Sequence, residues 1–125
     1  MNFIHIKIFA NNLDSELVSE SLGLTPDFIY RADGDGLKAD KQDMWNHTVE
    51  AEGDALEGEI KHLISQLDSK REAVSCLIRA SFDMKLYFVV AHYVDSYQHI
   101  VSIDNPDLLK LAQMGFELVF DIMNL

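Results

Sequence analysis

The sequence is poor in cysteine, in proline and in long apolar segments. Its single cysteine, Cys76, cannot form an internal disulfide, which is typical of proteins from a reducing compartment. No apolar run approaches the roughly 20 residues that a helix needs to cross a bilayer. The segment Met1–Phe9 lacks the basic start, long apolar run and small-residue cleavage site of a signal peptide. We therefore expect a soluble, cytoplasmic protein.

Basic residues are also scarce. The chain has 10 Lys and Arg against 21 Asp and Glu, which gives a formal net charge of −11. Many carboxylates fall in one window, where only Lys38 and Lys41 oppose them: Asp33, Asp35, Asp40, Asp43, Glu50, Glu52, Asp54, Glu57 and Glu59. A field of this sign repels nucleic acid and anionic membranes, and it accelerates the encounter with a basic partner. We therefore expect no nucleic-acid binding and no membrane binding.

Length and composition predict one folded domain over residues 1–125. Apolar residues make up 48% of the chain and charged residues 25%, which is an ordinary globular balance. From Phe3 to Phe9 apolar and polar residues alternate, as in a strand with one buried face. A short helix follows, with Asn12 or Asp14 as its cap and Gly23 at its end.

The middle of the chain predicts a loop, a strand and a long helix. Residues 25–43 have no clear period, whereas residues 44–51 alternate as a second strand. Asp54 and Glu57 form an approximate capping box, which predicts the start of a helix. The apolar residues behind this box follow a helical period: Leu56, Ile60, Leu63, Ile64 and Leu67.

The C-terminal half completes an α+β pattern. It predicts a helix opened by Ser69 and Glu72, a strand over 82–94 covered on both faces, a short strand over 99–103, a helix capped by Asn105 and ended by Gly115, and a strand over 116–123. The predicted order is β-α-β-α-α-β-β-α-β. This order favours a mostly antiparallel sheet with helices packed on it, a ferredoxin-like α+β arrangement.

One acidic, glycine-rich segment, residues 33–36, invites comparison with a calcium-binding loop. An EF-hand loop needs carboxylate ligands at its first and twelfth positions and glycine at its sixth. With Gly36 at the sixth position, Arg31 occupies the first position and Gln42 the twelfth. Because both outer ligand positions fail, we expect a solvated loop and neither a metal nor another cofactor.

The histidines show no metal-site spacing. His5, His47, His62, His92 and His99 form no H-E-x-x-H motif and no paired spacing with Cys76. Two of them, His47 and His92, fall on predicted strands and could meet in space. No nucleophile motif or phosphate-binding glycine pattern is present either. We therefore expect a protein without enzymatic activity.

The acidic window has one tryptophan, Trp45, which predicts either core packing or an exposed interface anchor among carboxylates. The residues that we expect to contact a partner are Asp33, Asp35, Asp40, Asp43, Trp45, Glu50, Glu52 and Asp54.

Several short segments resemble a bacterial family of small single-domain proteins known only as a domain of unknown function. They are Leu22–Asp27 after the first helix, Trp45 at a strand start, and a C-terminal series of Ser102–Asp104, Leu108–Leu109, Met114–Gly115 and Asp121–Ile122. The chain departs from the family pattern at Met123, where an aromatic residue is usual. The resemblance implies no catalytic residues.

Small acidic proteins of this kind are similar to the immunity proteins of bacterial toxin systems, including contact-dependent growth inhibition. Such proteins neutralise a cognate toxin in the cytosol by covering it, and many of these toxins are basic nucleases. The resemblance and the acidic window together lead us to expect an immunity-type protein that binds a basic toxin domain.

Two other functions stay open at this level. One is a small-molecule or metal-dependent enzyme or sensor that uses the clustered carboxylates with His47 or His92. The other is a structural subunit that forms a homodimer through an edge strand such as residues 99–103.

Overall fold

Five strands and four helices form in the part of the chain that the structure, a computed structural model, describes: residues 2–32, 42–81, 83–94 and 101–124. In chain order they are β1 (Asn2–Ala10), α1 (Ser15–Leu22), β2 (Phe28–Tyr30), β3 (Asp43–Ala51), α2 (Ala55–Asp68), α3 (Arg71–Ala80), β4 (Lys85–Val94), α4 (Asn105–Met114) and β5 (Phe116–Asn124). The predicted fold class, a mostly antiparallel α+β sheet with packed helices, is confirmed.

The strands form one sheet in the order β2-β3-β1-β4-β5. The central strand β1 runs antiparallel to both neighbours, and its Ile6 pairs with His47 of β3 and Phe88 of β4. β4 and β5 run parallel, with α4 in the connection between them. The start of β1 therefore lies beside the ends of β3, β4 and β5, and this end of the sheet contains the residues considered below.

The alternation in β1 builds the core. Ile4, Ile6 and Ile8 are fully buried against the helices, whereas the residues between them are only partly covered. The helical period of α2 serves the same core, because its predicted apolar residues, from Leu56 to Leu67, are all buried. Burying one such side chain contributes roughly 1.5–3 kcal/mol, so period and burial together fix which face of each element turns inward.

Helix ends follow local chemistry. The Asp14 carboxylate accepts a hydrogen bond from the Leu17 amide and caps α1. Gly23 ends this helix with φ of 70°, a left-handed conformation that favours glycine. α4 has the same design, with Asp104 accepting from the Asp107 amide at its start and Gly115 at its end.

Several predicted details are wrong. Residues 28–30 form the edge strand β2 where a loop was expected. α3 begins at Arg71 and Ser69 does not cap it, because the Ser69 hydroxyl donates back to the Gln66 carbonyl. The cap of α4 is Asp104, one residue before the expected Asn105. The described part of the expected strand over 99–103 is not a strand.

One face of the sheet is not covered by the described helices, which corrects the prediction that the fourth strand is covered on both sides. We call it the open face. It is formed by Phe3, His5, Lys7, Phe9, Met44, Asn46, Thr48, Glu50, Lys85, Tyr87, Val89, Ala91, Glu117, Val119 and Asp121. Most of these residues are half-buried or exposed, whereas their neighbours along β1 and β4 are buried.

Candidate protein-interaction surface

The residues predicted to contact a partner separate into three groups. Asp33, Asp35 and Asp40 lie outside the described residues. Asp43 and Trp45 are buried. Glu50, Glu52 and Asp54 are exposed. Of the five described residues, only those of the last group have the accessibility that contact with a partner requires.

Asp43 holds the fold together and does not face solvent. It is 7% exposed, and its carboxylate accepts hydrogen bonds from the backbone amides of Leu13 (3.0 Å) and Ala32 (2.8 Å). The Arg31 guanidinium lies 3.2 Å from the same carboxylate. This carboxylate therefore joins the start of β3 to the segment before α1 and to the segment after β2. The prediction that Asp43 steers a partner is wrong.

Trp45 is a core residue, so its predicted role as an exposed anchor is also wrong. The side chain is 0% exposed, and its indole N–H donates to the Ser19 hydroxyl at 3.0 Å. The Ser19 hydroxyl in turn donates to the Ser15 carbonyl. Burial of the largest side chain is favourable here because its one polar atom has a partner.

Glu50, Glu52 and Asp54 lie at the end of β3 and in the turn into α2. Glu52 and Gly53 form the turn, whose left-handed glycine (φ of 45°) reverses the chain. Asp54 precedes α2 but makes no side-chain capping bond. With the described residues, none of the three carboxylates forms an ion pair or accepts a hydrogen bond. They are therefore available to an external cation.

A fourth carboxylate, Asp121, lies at the same end of the sheet. Across the open face, Glu50 pairs with Phe3, Phe3 pairs with Ala91, and Ala91 pairs with Asp121. Three strand spacings separate Glu50 and Asp121, which is roughly 14 Å. We call Glu50, Glu52, Asp54 and Asp121 the acidic end. Glu50 and Asp121 lie on opposite sides of the Phe3 ring. The distance between these two carboxylates is wide enough for each to contact a separate basic side chain.

Other carboxylates are neutralised inside the molecule. The Lys61 ammonium of α2 lies 2.7 Å from Asp104 and 3.0 Å from the buried Asp107, at the start of α4. The hydrogen bond from Lys61 and the Asp107 amide lower the pKa of Asp104, and hydrogen bonds to Asp104 and Asp107 raise the pKa of Lys61. This cluster joins two helices, which is a structural role.

The described histidines do not assemble a site, and His99 lies outside the described residues. The His47 imidazole lies 2.6 Å from the Thr25 carbonyl, and that of His92 lies 2.8 Å from the Asn2 side chain. These two histidines are on different strands, and each has a local partner. Among the described residues, no three His, Cys, Asp or Glu side chains come together in a way that could hold a metal ion.

His5, near the centre of the open face, belongs to a polar chain. Its ring lies 2.9 Å from the Thr48 hydroxyl, which accepts a hydrogen bond from the Asn46 amide. Burial and the Lys7 charge lower the pKa of His5, whereas Asp121 and Asp27 oppose this shift. Burial and Lys7 therefore favour the neutral form of the His5 imidazole, which offsets less of the negative charge of the acidic end than an imidazolium would.

The strand β5 adds uncovered apolar surface to the acidic end. Val119, Phe120 and Ile122 are 38%, 43% and 63% exposed. The sequence predicted this strand but not its exposure. Its apolar residues fall on both faces, as they would in a buried strand, and only the pairing order shows that β5 is an edge. Exposed apolar side chains beside unpaired carboxylates are typical of a protein-binding surface.

Comparison with known proteins gives one match. The sequence model of a family described as "Domain of unknown function (DUF4279)" matches residues 2–125. Neither the curated proteins nor the solved structures gave a match. In the part of the chain that the structure describes, no helix is long and apolar enough to cross a membrane.

Proposed function

We propose that this chain, which belongs to the DUF4279 family, is an immunity-type protein that neutralises a basic toxin domain of nuclease type by binding it. Complex formation would take place in the cytosol, as for the immunity proteins of contact-dependent growth inhibition. The proposal includes no catalytic step and no cofactor. The acidic end is the surface assigned to the partner.

One observation carries the proposal: among the carboxylates that form no ion pair with the described residues, four lie at one end of the sheet. Asp43, Asp68, Asp104 and Asp107 each have a cationic partner within the described residues. The carboxylates of the acidic end have none there, and one of them, Asp121, lies in β5 among exposed apolar residues. Unpaired charges of one sign in one place repel each other, and a basic partner that neutralises them would relieve this repulsion.

The expected mechanism is electrostatic capture followed by burial of apolar surface. A nuclease presents lysines and arginines that contact phosphates, and these groups are complementary to the acidic end. Exposed carboxylates of this kind raise the association rate, whereas the apolar contacts made afterwards control dissociation. Covering the phosphate-contacting residues would prevent the toxin from engaging nucleic acid.

Binding to the toxin domain encoded by the adjacent gene tests the proposal. The double charge reversal Glu50→Lys, Glu52→Lys should lower the association rate constant about tenfold at low salt, with the difference shrinking as salt rises. The matched control is Glu20→Lys, Glu72→Lys, which makes the same change in net charge on exposed helix positions away from this end. This control should bind nearly as the unmodified protein does.

Two results would contradict the proposal. One is that the adjacent gene encodes no toxin that binds this chain. The other is that both double variants lower the rate equally, because the effect would then come from net charge and not from the acidic end.

A further inference from the structure

We propose that the outer edge of β5 accepts an added β-strand from the basic partner, with lysine or arginine side chains next to Glu117 and Asp121. This inference rests on the proposed function and specifies how the partner docks. Strand addition to a sheet edge is a recurring mode of recognition, in which main-chain hydrogen bonds give affinity and alternate side chains give specificity.

The edge is long and regular. β5 extends over nine residues, which is roughly 30 Å. Its pairing with β4 runs without interruption from Phe116 to Asn124, so no bulge twists the edge away. In the part of the chain that the structure describes, no strand pairs with its outer side.

This edge lacks most of the features that protect exposed strands. Folded proteins block such edges with charged side chains, especially lysine, with proline, with bulges or by shortening the strand, and the charged side chains of β5 are both acidic. β5 contains no Lys, Arg or Pro. The opposite edge, β2, is only three residues long and so offers little pairing length. β5 is therefore the edge that is open to another strand.

The side chains of β5 indicate what the added strand carries. On the open face, Glu117 and Asp121 flank the exposed Val119. On the other face, Phe120 and Ile122 are the exposed residues. A complementary strand would alternate basic residues on the first face with apolar residues on the second.

A second copy of this chain is a poor occupant of the edge. Antiparallel pairing centred on Val119 would place Glu117 of one copy opposite Asp121 of the other. Parallel pairing in register would place each carboxylate beside itself. Like charges in opposed positions destabilise a strand pair, and each copy also has a net charge of −11. Charge complementarity therefore selects a basic partner strand.

A synthetic strand tests the edge without the toxin. The probe is a blocked peptide, acetyl-Lys-Val-Lys-Thr-Lys-Val-Lys-amide, and its control has glutamate at every lysine position. Amide hydrogen exchange is measured on the full chain with each peptide at millimolar concentration. The lysine peptide should slow exchange of β5 amides between Leu118 and Ile122 several-fold, and the glutamate peptide should not.

Edge variants then test the toxin complex. Val119→Lys should weaken binding at least tenfold because it places a cation where the partner strand is basic. Val119→Thr keeps the β-branched shape without the charge and should bind within about twofold of the unmodified protein. If Val119→Lys fails to fold, Ile122→Lys replaces it, because Ile122 is the most exposed large apolar residue of the described chain.

The outcomes separate the two proposals. Toxin binding that depends on Glu50 and Glu52 but leaves β5 exchange and Val119→Lys unaffected would overturn strand addition and keep the function. A peptide that pairs with β5 beside a toxin that does not bind would overturn the function and keep the edge site. Failure of both would overturn both. A dimer of the unmodified protein that Val119→Lys dissolves would assign the edge to a second copy and overturn the basic strand.

Discussion

At the scale of single residues, the carboxylates of this chain differ in role although they look alike in the sequence. Asp43 and Asp54 are both aspartates of the acidic window, yet one accepts two backbone hydrogen bonds in the interior and the other accepts none from the described residues. Stability measurements should separate these roles.

Asp43→Ala should lower the free energy of unfolding by about 2–4 kcal/mol, because it leaves two backbone donors without their acceptor and removes the ion pair with Arg31. Urea unfolding followed by circular dichroism measures the loss. Asp54→Ala is the control and should cost less than about 1 kcal/mol, the range of a charge at a helix start. Equal losses would show that Asp43 has no special structural role.

The hydrogen bond of Trp45 predicts coupling between two core residues. Ser19→Ala should cost about 1–3 kcal/mol, because the buried indole N–H loses its acceptor. In the Trp45→Phe background no indole N–H exists, so the same serine change should cost less. A double-mutant cycle of unfolding free energies measures the coupling. Additive losses would mean that this hydrogen bond contributes nothing to stability.

At the scale of elements, the sequence predicts what local chemistry decides. The alternation from Phe3 to Phe9 predicts β1 because period two depends only on neighbouring residues. The sequence pattern does not predict β2, because three residues are too few to show a period. These residues form a strand because they pair with β3. Trp45 shares the apolar face of β3 with His47 and Val49. The alternation of β3 therefore predicts that Trp45 is buried. Its position next to carboxylates in the sequence predicts its exposure less well.

The acidic end and the β5 edge could be predicted only in part. The exposure of Glu52 and Asp54 follows from their place at a turn, and that of Glu50 from its polar position in the alternation of β3. That Asp121 joins them depends on the pairing of four strands across the sheet, which is set by contacts distant in sequence. The position of β5 at the edge of the sheet depends on the same contacts between residues distant in sequence.

Two helix-associated glycines should respond in opposite ways to alanine. Gly58 lies inside α2 with open space around its α-carbon, so Gly58→Ala should raise the unfolding free energy by about 0.4–1 kcal/mol. Gly115 has φ of 89°, and an added β-carbon would lie 3.2 Å from the Ile78 side chain. Gly115→Ala should therefore cost about 1–3 kcal/mol. Thermal or urea unfolding of both variants measures the signs, and a shared sign would contradict the backbone argument.

The link between α2 and α4 should make stability depend on pH. Since the pKa of Asp104 is lowered on folding, its contribution is present above its ordinary value of 3.8 and is lost as pH falls through the folded value. Since the pKa of Lys61 is raised, its contribution is present below 10.5 and is lost above the folded value. Lys61→Met should therefore lower the urea midpoint at pH 7.

That difference should shrink as pH falls below 3.8 and through the lowered folded pKa of Asp104, because a protonated Asp104 no longer forms an ion pair with Lys61. Lys70→Met is the control, because Lys70 has no ion pair within the described residues. It should show little pH dependence relative to the unmodified protein. A Lys61→Met difference that stays constant until the acid unfolding of both proteins would contradict the ion-pair origin.

At the scale of the whole molecule, charge is divided between two purposes. Where the helices meet, acidic residues have cationic partners, as with Asp104 and Lys61. At the acidic end they have none among the described residues, and mutual repulsion lowers stability there. If the acidic end is maintained because binding requires it, replacing its carboxylates should raise the stability of the protein and weaken partner binding.

The double variant Glu50→Lys, Glu52→Lys tests this opposition. At roughly 10 mM salt it should unfold at a higher temperature than the unmodified protein, because repulsion at the acidic end is relieved. At about 150 mM salt, where the Debye length falls from roughly 30 Å to about 8 Å, the difference should diminish.

The control Glu20→Lys, Glu72→Lys changes the net charge equally and should stabilise less, because these residues lie outside the acidic end. If the acidic end is maintained for a basic partner, only the Glu50→Lys, Glu52→Lys variant should be more stable and also associate more slowly with the toxin. Equal stabilisation by both variants would attribute the effect to net charge and would remove the stability evidence for a dedicated surface.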